Sequence, residues 1–332
     1  MPEIYDLSSP AHRQLLSHEI KRQIDAFCVD HYSEEPRGHL GASLIGHPCS
    51  RYLWYNFRWV RQEQFSGQMY RLFNRGHREE ERFVEWLKGA GFEVHEFDPN
   101  WIPDDKIKIG KYKDQLIKEV PPEYLEWAKK DGVDLCKKQF RISACNGHFA
   151  GSLDGIGVLP LKFVPTGEYV LLEFKTSGTG PKKFGKMVEN GLQVAKPQHW
   201  AQTCTYGYNY GIKYIVYLMI NKDNDHLHVE VEELNWNVGK EMERKADYII
   251  NSKDAPPRTC SSSSYYNFEQ NYGAKYCHFK GICFDGNGPE KNCRSCKSAI
   301  PIENAEWGCE MSGDVLSKET IKTGCDQWES VC

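Results

Sequence analysis

Asp154, Glu173 and Lys175 are the residues whose types and spacing most directly suggest chemistry. The run from Tyr169 to Phe174 is mostly apolar and of strand length, and it follows a turn at Gly167-Glu168, so it reads as a buried strand. A buried strand seldom tolerates charge, yet this one ends in Glu173-Phe174-Lys175-Thr176. Side chains alternate faces along a strand, which puts Glu173 and Lys175 on one face and turns Phe174 into the core. Eighteen residues separate Glu173 from Asp154, which sits at the end of a short strand predicted within 147–158. Two carboxylates and a lysine meeting at a sheet edge could hold a hard divalent cation, Mg2+ or Mn2+, and stabilise a negatively charged transition state.

Two further groups of residues carry ligand chemistry. A helix predicted near 69–90 places Phe73, His77, Glu80, Val84 and Leu87 on one stripe, expected to be buried. His77 and Glu80 interrupt that apolar stripe, where an unpaired charge is costly. They read either as hydrogen-bonded core residues or as metal or active-site groups. The chain also has 13 cysteines, eight of them after residue 255. With no secretion signal ahead of them, metal binding is expected rather than disulfides. Cys293-x2-Cys296, Cys309 and Cys325 make an inventory for a closed tetrahedral Zn2+ site, the plain alternative being unligated buried cysteines. The stretch from Gly180 to Met187 imitates a P-loop, but Met187 stands where Ser or Thr would have to reach magnesium, which argues against ATP.

The elements that must position these groups follow from pattern. At 332 residues, the chain allows one large domain with an appendage or two modest domains. Apolar residues at 40% and charged residues at 27% are ordinary for a soluble globular protein. No apolar run approaches membrane length and no signal peptide is evident, so a cytoplasmic location without membrane contact is expected. A net charge of −4 excludes a generally basic coat, so a DNA-binding surface would be local, at Lys182, Lys183 and Lys186. Helical spacing runs through Leu15, Leu16, Ile20, Ile24 and Phe27. The aromatic stretch 47–59 reads as a core helix, with base-stacking aromatics and a ligand at Cys49 as the sharper alternative. Residues 95–140 carry no motif and suit an insertion or lid. Pro197 opens a helix with Gln198, Gln202 and Tyr206 on one face and Trp200, Ala201 and Cys204 on the other. Strands over 214–220 and 226–234 and a helix over 236–251 come next, and Pro256-Pro257-Arg258 marks a boundary.

Asp154 with Glu173-x-Lys175 resembles the signature of the PD-(D/E)xK nuclease superfamily, Leu153-Asp154 standing where Pro-Asp often does. Several stretches together resemble RecB-like nucleases encoded by tailed bacteriophages, related to CRISPR-associated adaptation exonucleases. They are Leu40-Gly41-Ala42-Ser43, Pro48-Cys49-x-Arg51-x-Leu53-Trp54-Tyr55, Arg75-Gly76-His77, Gly147-His148-Phe149-x-Gly151, Lys196-Pro197-x-His199-x-x-Gln202 and the Cys293 to Cys325 tail. The resemblance implies an α/β fold: a restriction-endonuclease-like core with a mixed central sheet flanked by helices, a helical N-terminal region and a Cys-rich C-terminal module. The corresponding segments would be 1–65, 66–255 and 256–332. It implies a DNA exonuclease of phage DNA processing or recombination, with DNA as substrate and a recombination or single-strand annealing protein as a partner. Asp154, Glu173, the Phe174 carbonyl and His77 would hold the metal, and Glu80 a second metal or His77 itself. Lys175 would orient water or offset charge, and Gln202-x-x-x-Tyr206 would match the motif on the helix after the catalytic strand. Some such nucleases hold a [4Fe–4S] cluster through one cysteine before the core and a Cys-x2-Cys-x5-Cys set after it. Cys49, Cys277 and Cys283 match three of those places and Ala274 occupies the other. Cys260 or His278 could supply the missing ligand, or the site could hold zinc or nothing. A non-catalytic DNA-binding protein on the same scaffold and a structure-specific endonuclease are the competing readings.

Overall fold

A computed structural model describes residues 5–98, 107, 111–113, 115–130, 139–179, 183–267 and 272–332. Helix α1 (Pro10–Tyr32) begins where Ser9 accepts the His12 amide and Pro10 supplies a preset first turn. Strand β1 (Leu40–Gly41) precedes α2 (Ser50–Phe57), whose cap is the Cys49 sulfur accepting from the Tyr52 amide, and then comes α3 (Gly67–Gly89). The middle of the chain holds β2 (Glu93–His95), α4 (Pro122–Lys130), β3 (Arg141–Ala144), β4 (Phe149–Ser152), β5 (Gly155–Val158) and β6 (Tyr169–Ser177). After these run α5 (Phe184–Ala195), α6 (Pro197–Tyr210), β7 (Tyr214–Asn221), β8 (Leu227–Glu233) and α7 (Trp236–Asn251). The tail is built of short pieces, α8 (Lys280–Phe284), β9 (Ala299–Pro301), β10 (Trp307–Cys309) and α9 (Lys318–Thr323). Among the described residues no helix is long and apolar enough to cross a membrane.

Instead of three consecutive segments bounded at 65 and 255, the chain divides into two interleaved units. One comprises Met1–Arg82, Cys145–Phe149 and Arg244–Cys332, and the other comprises Phe83–Ala144 and Ala150–Glu243. The physical reason lies in the first unit, where the aromatic stretch around α2 is tied to the C-terminal part of the chain. Trp54 Nε1 donates to Ser252 O at 2.9 Å, Arg51 Nε to Pro256 O at 2.5 Å, and Asn292 Nδ2 to Trp59 O at 2.9 Å. Leu53, Trp54, Tyr55 and Phe57 are buried, so this stretch packs as a core helix. On α1 only Cys28 is buried, and Leu15, Ile20, Ile24 and Phe27 are 49% to 57% exposed.

The second unit is organised on a mixed sheet of order β2-β5-β6-β7-β8. Pairing is antiparallel except between β6 and β7, which run parallel. Val170, Leu172 and Phe174 of β6 and Val216, Leu218 and Ile220 of β7 present one apolar face, covered by Phe83, Val84 and Leu87 from the end of α3. The Phe83 and Phe174 rings stack at 5.1 Å. The opposite face carries Glu173, Lys175 and Tyr217, with α6 lying against both strands. Parallel neighbours need a crossover, and α5 and α6 supply it. Helix α7 approaches α6 closely because position 239 is glycine: a Cβ there would lie 2.3 Å from Cys204 O. Within the stretch read as an insertion, Ile107, Ile117 and Val120 form a small satellite core with Tyr112, Tyr124 and Leu125.

Candidate active site and cysteine clusters

Register brings the acidic residues together. Gly155 pairs with Leu172 in the antiparallel β5–β6 ladder, so Asp154, at the bend just before β5, stands level with the Glu173-Phe174 peptide. Asp154 Oδ2 accepts the Phe174 amide at 2.7 Å, which fixes the carboxylate against the strand. Lys175 Nζ then lies between three oxygens. It pairs with Glu173 Oε1, lies 3.8 Å from Asp154 Oδ2, and donates to the Phe174 carbonyl at 3.0 Å. Glu173 is 1% exposed, so its charge is compensated by the neighbouring ammonium and not by bulk water.

That arrangement also tests whether a divalent cation suits the site. The oxygens expected to bind metal, from Asp154, Glu173 and the Phe174 carbonyl, already converge on one positive charge, the Lys175 ammonium. All three are hard donors of the kind magnesium and manganese take. Among the described residues no three His, Cys, Asp or Glu side chains stand together closely enough to hold a metal ion, so the set here is two carboxylates and a carbonyl.

Helix α6 and β7 add a pair of groups, His199 and Tyr217, to which the sequence reading gave no role. His199 Nδ1 and the Tyr217 hydroxyl are 2.8 Å apart, and Tyr217 faces Glu173 across the β6–β7 ladder. Burial, then Lys175 and Lys196, pushes the His199 imidazole down to about 3, so it stays neutral. Burial, then Glu173, Glu230 and Asp154, pushes the Tyr217 phenol well above its ordinary value. Glu230 faces Tyr217 from β8 and accepts the Leu192 amide at 2.8 Å. Gly191, at φ +70°, breaks α5 there and lets the carboxylate approach. Gln202 and Tyr206 are both buried and bonded to each other, Nε2 to the hydroxyl at 3.2 Å. The whole run from Ala201 to Gly207 is buried, so the helix has no solvent-facing side there. Lys196 is pushed down by burial and by Lys183 and Lys186, which marks these lysines as near neighbours. Lys182 lies outside the described residues.

His77 and Glu80 are not on a buried face. They bond to each other at 3.3 Å, with side chains 74% and 37% exposed. The buried acid of α3 is Glu79, 7% exposed and paired with Arg82 at 2.6 Å. The expected stripe is buried only at Val84 and Leu87, with Phe83 beside them. Phe73 is 39% exposed.

The cysteines fall into two groups inside the first unit. Cys49, Cys260, Cys277 and Cys283 line one small pocket, partly open to solvent, with Arg51, Tyr55, Arg258 and Tyr272 among its other walls. Cys277 is pushed up to about 11 by burial and by the Cys283, Cys49 and Cys260 thiols. Burial would also raise Cys49, but hydrogen bonds from Tyr272, Thr259 and the Tyr52 amide outweigh it and favour the thiolate. Cys260 Sγ donates to the Tyr272 hydroxyl at 3.4 Å. In the second group, burial and the Cys325, Cys296 and Cys309 thiols push Cys293 up to about 11. Among the described residues neither set stands together closely enough to hold a metal ion.

No family model and no curated protein sequence matches this chain. Among solved structures it is similar to SSO0001, with 15% identity over 81% of this chain and 96% of that one, at a TM-score of 0.36. It is also similar to the alkaline exonuclease LHK-Exo from Laribacter hongkongensis, with 13% identity, 69% and 90% coverage and a TM-score of 0.34. The complex of LHK-Exo with dAMP matches at 14% identity, the same coverage and a TM-score of 0.36. At this level of likeness, those structures assign no role to any residue of this chain.

Proposed function

We propose that this protein is a metal-dependent deoxyribonuclease, an exonuclease acting on DNA ends with Mg2+ or Mn2+. The observation that carries this reading is the convergence of Asp154, Glu173 and the Phe174 carbonyl on one positive charge, the Lys175 ammonium. Asp154, Glu173 and the Phe174 carbonyl would hold the divalent cation, which would lower the pKa of water and offset charge on a phosphodiester. The chain's own residues do the rest. Asp154 is locked by the Phe174 amide, so its carboxylate needs little reorganisation. Lys175, displaced from the three oxygens, would orient the attacking water or stabilise the developing charge. His199 and Tyr217 fix the polar floor behind Glu173, and His199 contributes a neutral ring to the site. Gln202 and Tyr206 would position the scissile phosphate, and Lys183, Lys186 and Lys196 would attract the backbone.

The two cysteine groups fit structural metal in their donor chemistry, since thiolates favour zinc or iron–sulfur over magnesium. Cys293, Cys296, Cys309 and Cys325 would hold zinc. Cys49, Cys277 and Cys283, with Cys260 or His278, would hold a [4Fe–4S] cluster or zinc.

End-labelled linear DNA and closed circular DNA incubated with Mg2+, Mn2+ or EDTA test the enzymatic reading. Loss of label from linear DNA alone, abolished by EDTA, is the expected outcome. Cleavage of the circle would make the protein an endonuclease. Binding to DNA without turnover in either metal would favour the non-catalytic reading.

A further inference from the structure

Strand β8 ends the five-stranded sheet on one side, and its residues alternate between two environments. His228, Glu230 and Glu232 are partly covered by α5, where Glu230 accepts the Leu192 amide and Glu232 bonds to the Gln193 side chain. Leu227, Val229 and Val231 point to the opposite face and are 47%, 49% and 56% exposed. In register they neighbour Ile220, Leu218 and Val216 of β7, which are buried beneath Phe83, Val84 and Leu87. The apolar layer of the sheet therefore runs one strand further than its cover. Backbone direction adds an independent observation. The Asn221 amide donates to His226 O at 2.9 Å and the Leu234 amide to Lys213 O at 2.7 Å, at the two ends of the β7–β8 ladder. Bonded pairs in an antiparallel ladder recur at every second residue, so His228, Glu230 and Glu232 turn their backbone groups towards β7. The amides and carbonyls of Leu227, Val229 and Val231 point to the open edge, where no further strand pairs among the described residues.

An open edge that also carries half-exposed apolar side chains is a template for another strand. Charge decides which strand fits. Paired antiparallel about Val229, β8 matches a second copy of itself: Leu227 stands opposite Val231, Val229 opposite Val229, His228 opposite Glu230 and His226 opposite Glu232. Apolar groups then meet apolar groups, and each of those carboxylates meets an imidazole. Of the strand's residues only Glu233 lacks a complement, standing opposite Asp225 of the turn. Other registers fit worse. Centred on Glu230 or on Val231, the pairing sets glutamate against glutamate, which like-charge repulsion disfavours. Centred on His228, it leaves Val231 against Asp225.

We propose that the open edge of β8 is the interface of a homodimer, in which two copies pair their β8 strands antiparallel about a two-fold axis at Val229 and continue one sheet through both. The interface is isologous, so every contact away from the axis occurs twice. Main-chain bonds from Leu227, Val229 and Val231 hold the strands together. The apolar side chains on the open face, now beside their counterparts, leave water, and the alternation of histidine and glutamate on the other face sets the register.

The test uses the full chain in reducing buffer, so that none of its 13 cysteines links copies covalently. Sedimentation velocity is measured from about 1 to about 100 μM, a range that brackets a dimer of micromolar affinity. The wild type should sediment as a dimer at the upper end. Val229→Lys sets two ammonium groups face to face and should weaken association at least about 10-fold, with the circular dichroism spectrum of the folded protein kept. Val229→Glu should do the same. An equimolar mixture of the two variants should recover a dimer with one copy of each, because position 229 meets position 229. A wild type that stays monomeric at about 100 μM overturns the proposal and leaves the edge to a strand from another protein. A dimer that neither substitution weakens overturns it too, since the copies are then joined elsewhere. So does a mixture that remains monomeric, which removes the register. If the Val229 variants do not fold, Leu227→Lys and Val231→Glu decide in their place: each alone should dissociate the dimer and their mixture should recover it, because those two positions stand opposite.

Discussion

Glu173 is a charged residue held at 1% exposure inside an apolar strand, and the Lys175 ammonium compensates that charge. Asp154→Ala and Glu173→Ala should each abolish cleavage of linear DNA while the circular dichroism spectrum stays that of the folded protein. Full activity in either purified variant would remove the nuclease assignment from this site. Lys175→Ala should lower turnover by about two orders of magnitude, the scale for one transition-state electrostatic group. These three were legible in the sequence because a strand has a period of two, and charge in an apolar run stands out at any register. His199 and Tyr217 were not, since their 2.8 Å contact depends on how a helix lies across a strand 18 positions later in the chain. His77 was misjudged for the converse reason. The stripe has helical spacing, but the packed part of α3 is at Phe83, Val84 and Leu87, leaving His77 exposed. His77→Ala should therefore leave the unfolding free energy within about 0.5 kcal/mol of wild type, as for most surface substitutions. Any rise in the Mn2+ concentration needed for half-maximal rate then reports a ligand role directly.

At the scale of elements, the site depends on α6 being pressed onto β6 and β7, because that helix carries His199, Gln202 and Tyr206. Its burial from Ala201 to Gly207 leaves no solvent-facing side in that stretch, so small residues must admit its neighbours. Gly239 is one of them, since any Cβ would meet Cys204 O at 2.3 Å and the Tyr208 Cβ at 2.7 Å. Gly239→Val should destabilise by at least about 1–3 kcal/mol, the usual cost of overpacking, and lower activity through displacement of α6. Thermal unfolding checks it, and an unchanged midpoint would mean that α7 moves away freely. The helix itself was legible from Pro197 and its spacing. Its complete burial was not, because glutamine, threonine and tyrosine look like a solvated face until a neighbour is known to cover them. The tail shows the opposite balance: spacing drew attention to Cys293, Cys296, Cys309 and Cys325, and the last three act electrostatically on Cys293, although the segment has few long elements. Cys293→Ser should release about one zinc per chain and make the tail protease-sensitive. DNA cleavage should fall less than with Asp154→Ala, because these thiols are outside the acidic site.

Across the whole molecule, buried histidines tie stability to pH. Burial holds His47 down to about 4, and burial with Lys175 and Lys196 holds His199 down to about 3. Burial also lowers His148. An unfolded histidine titrates near ~6.5, so between that value and the folded ones the unfolded chain takes up protons that the folded protein refuses. Stability from these groups is therefore fully present above pH ~6.5 and is lost as the pH falls towards 4 and then 3. Each group contributes a slope of at most about 1.4 kcal/mol per pH unit. The hydrogen bond from the Cys49 amide to His47 Nδ1, at 3.2 Å, gives the loss a structural basis, since a proton on that nitrogen would break it. Exposed carboxylates push the same way only at lower pH: Glu19, held down to about 2 by Arg22 and Gln23, starts to contribute once the unfolded carboxylate titrates. The window from pH 6.5 to about 5 thus belongs to the histidines. Unfolding midpoints measured across it in EDTA, which removes competition between protons and metal, should fall steadily with acid. His47→Gln should flatten part of that slope because glutamine does not titrate. A midpoint that stays level from pH 7 to 5 in the wild type would show that these imidazoles are solvated and charged, and that the packing around Cys49 is looser than described.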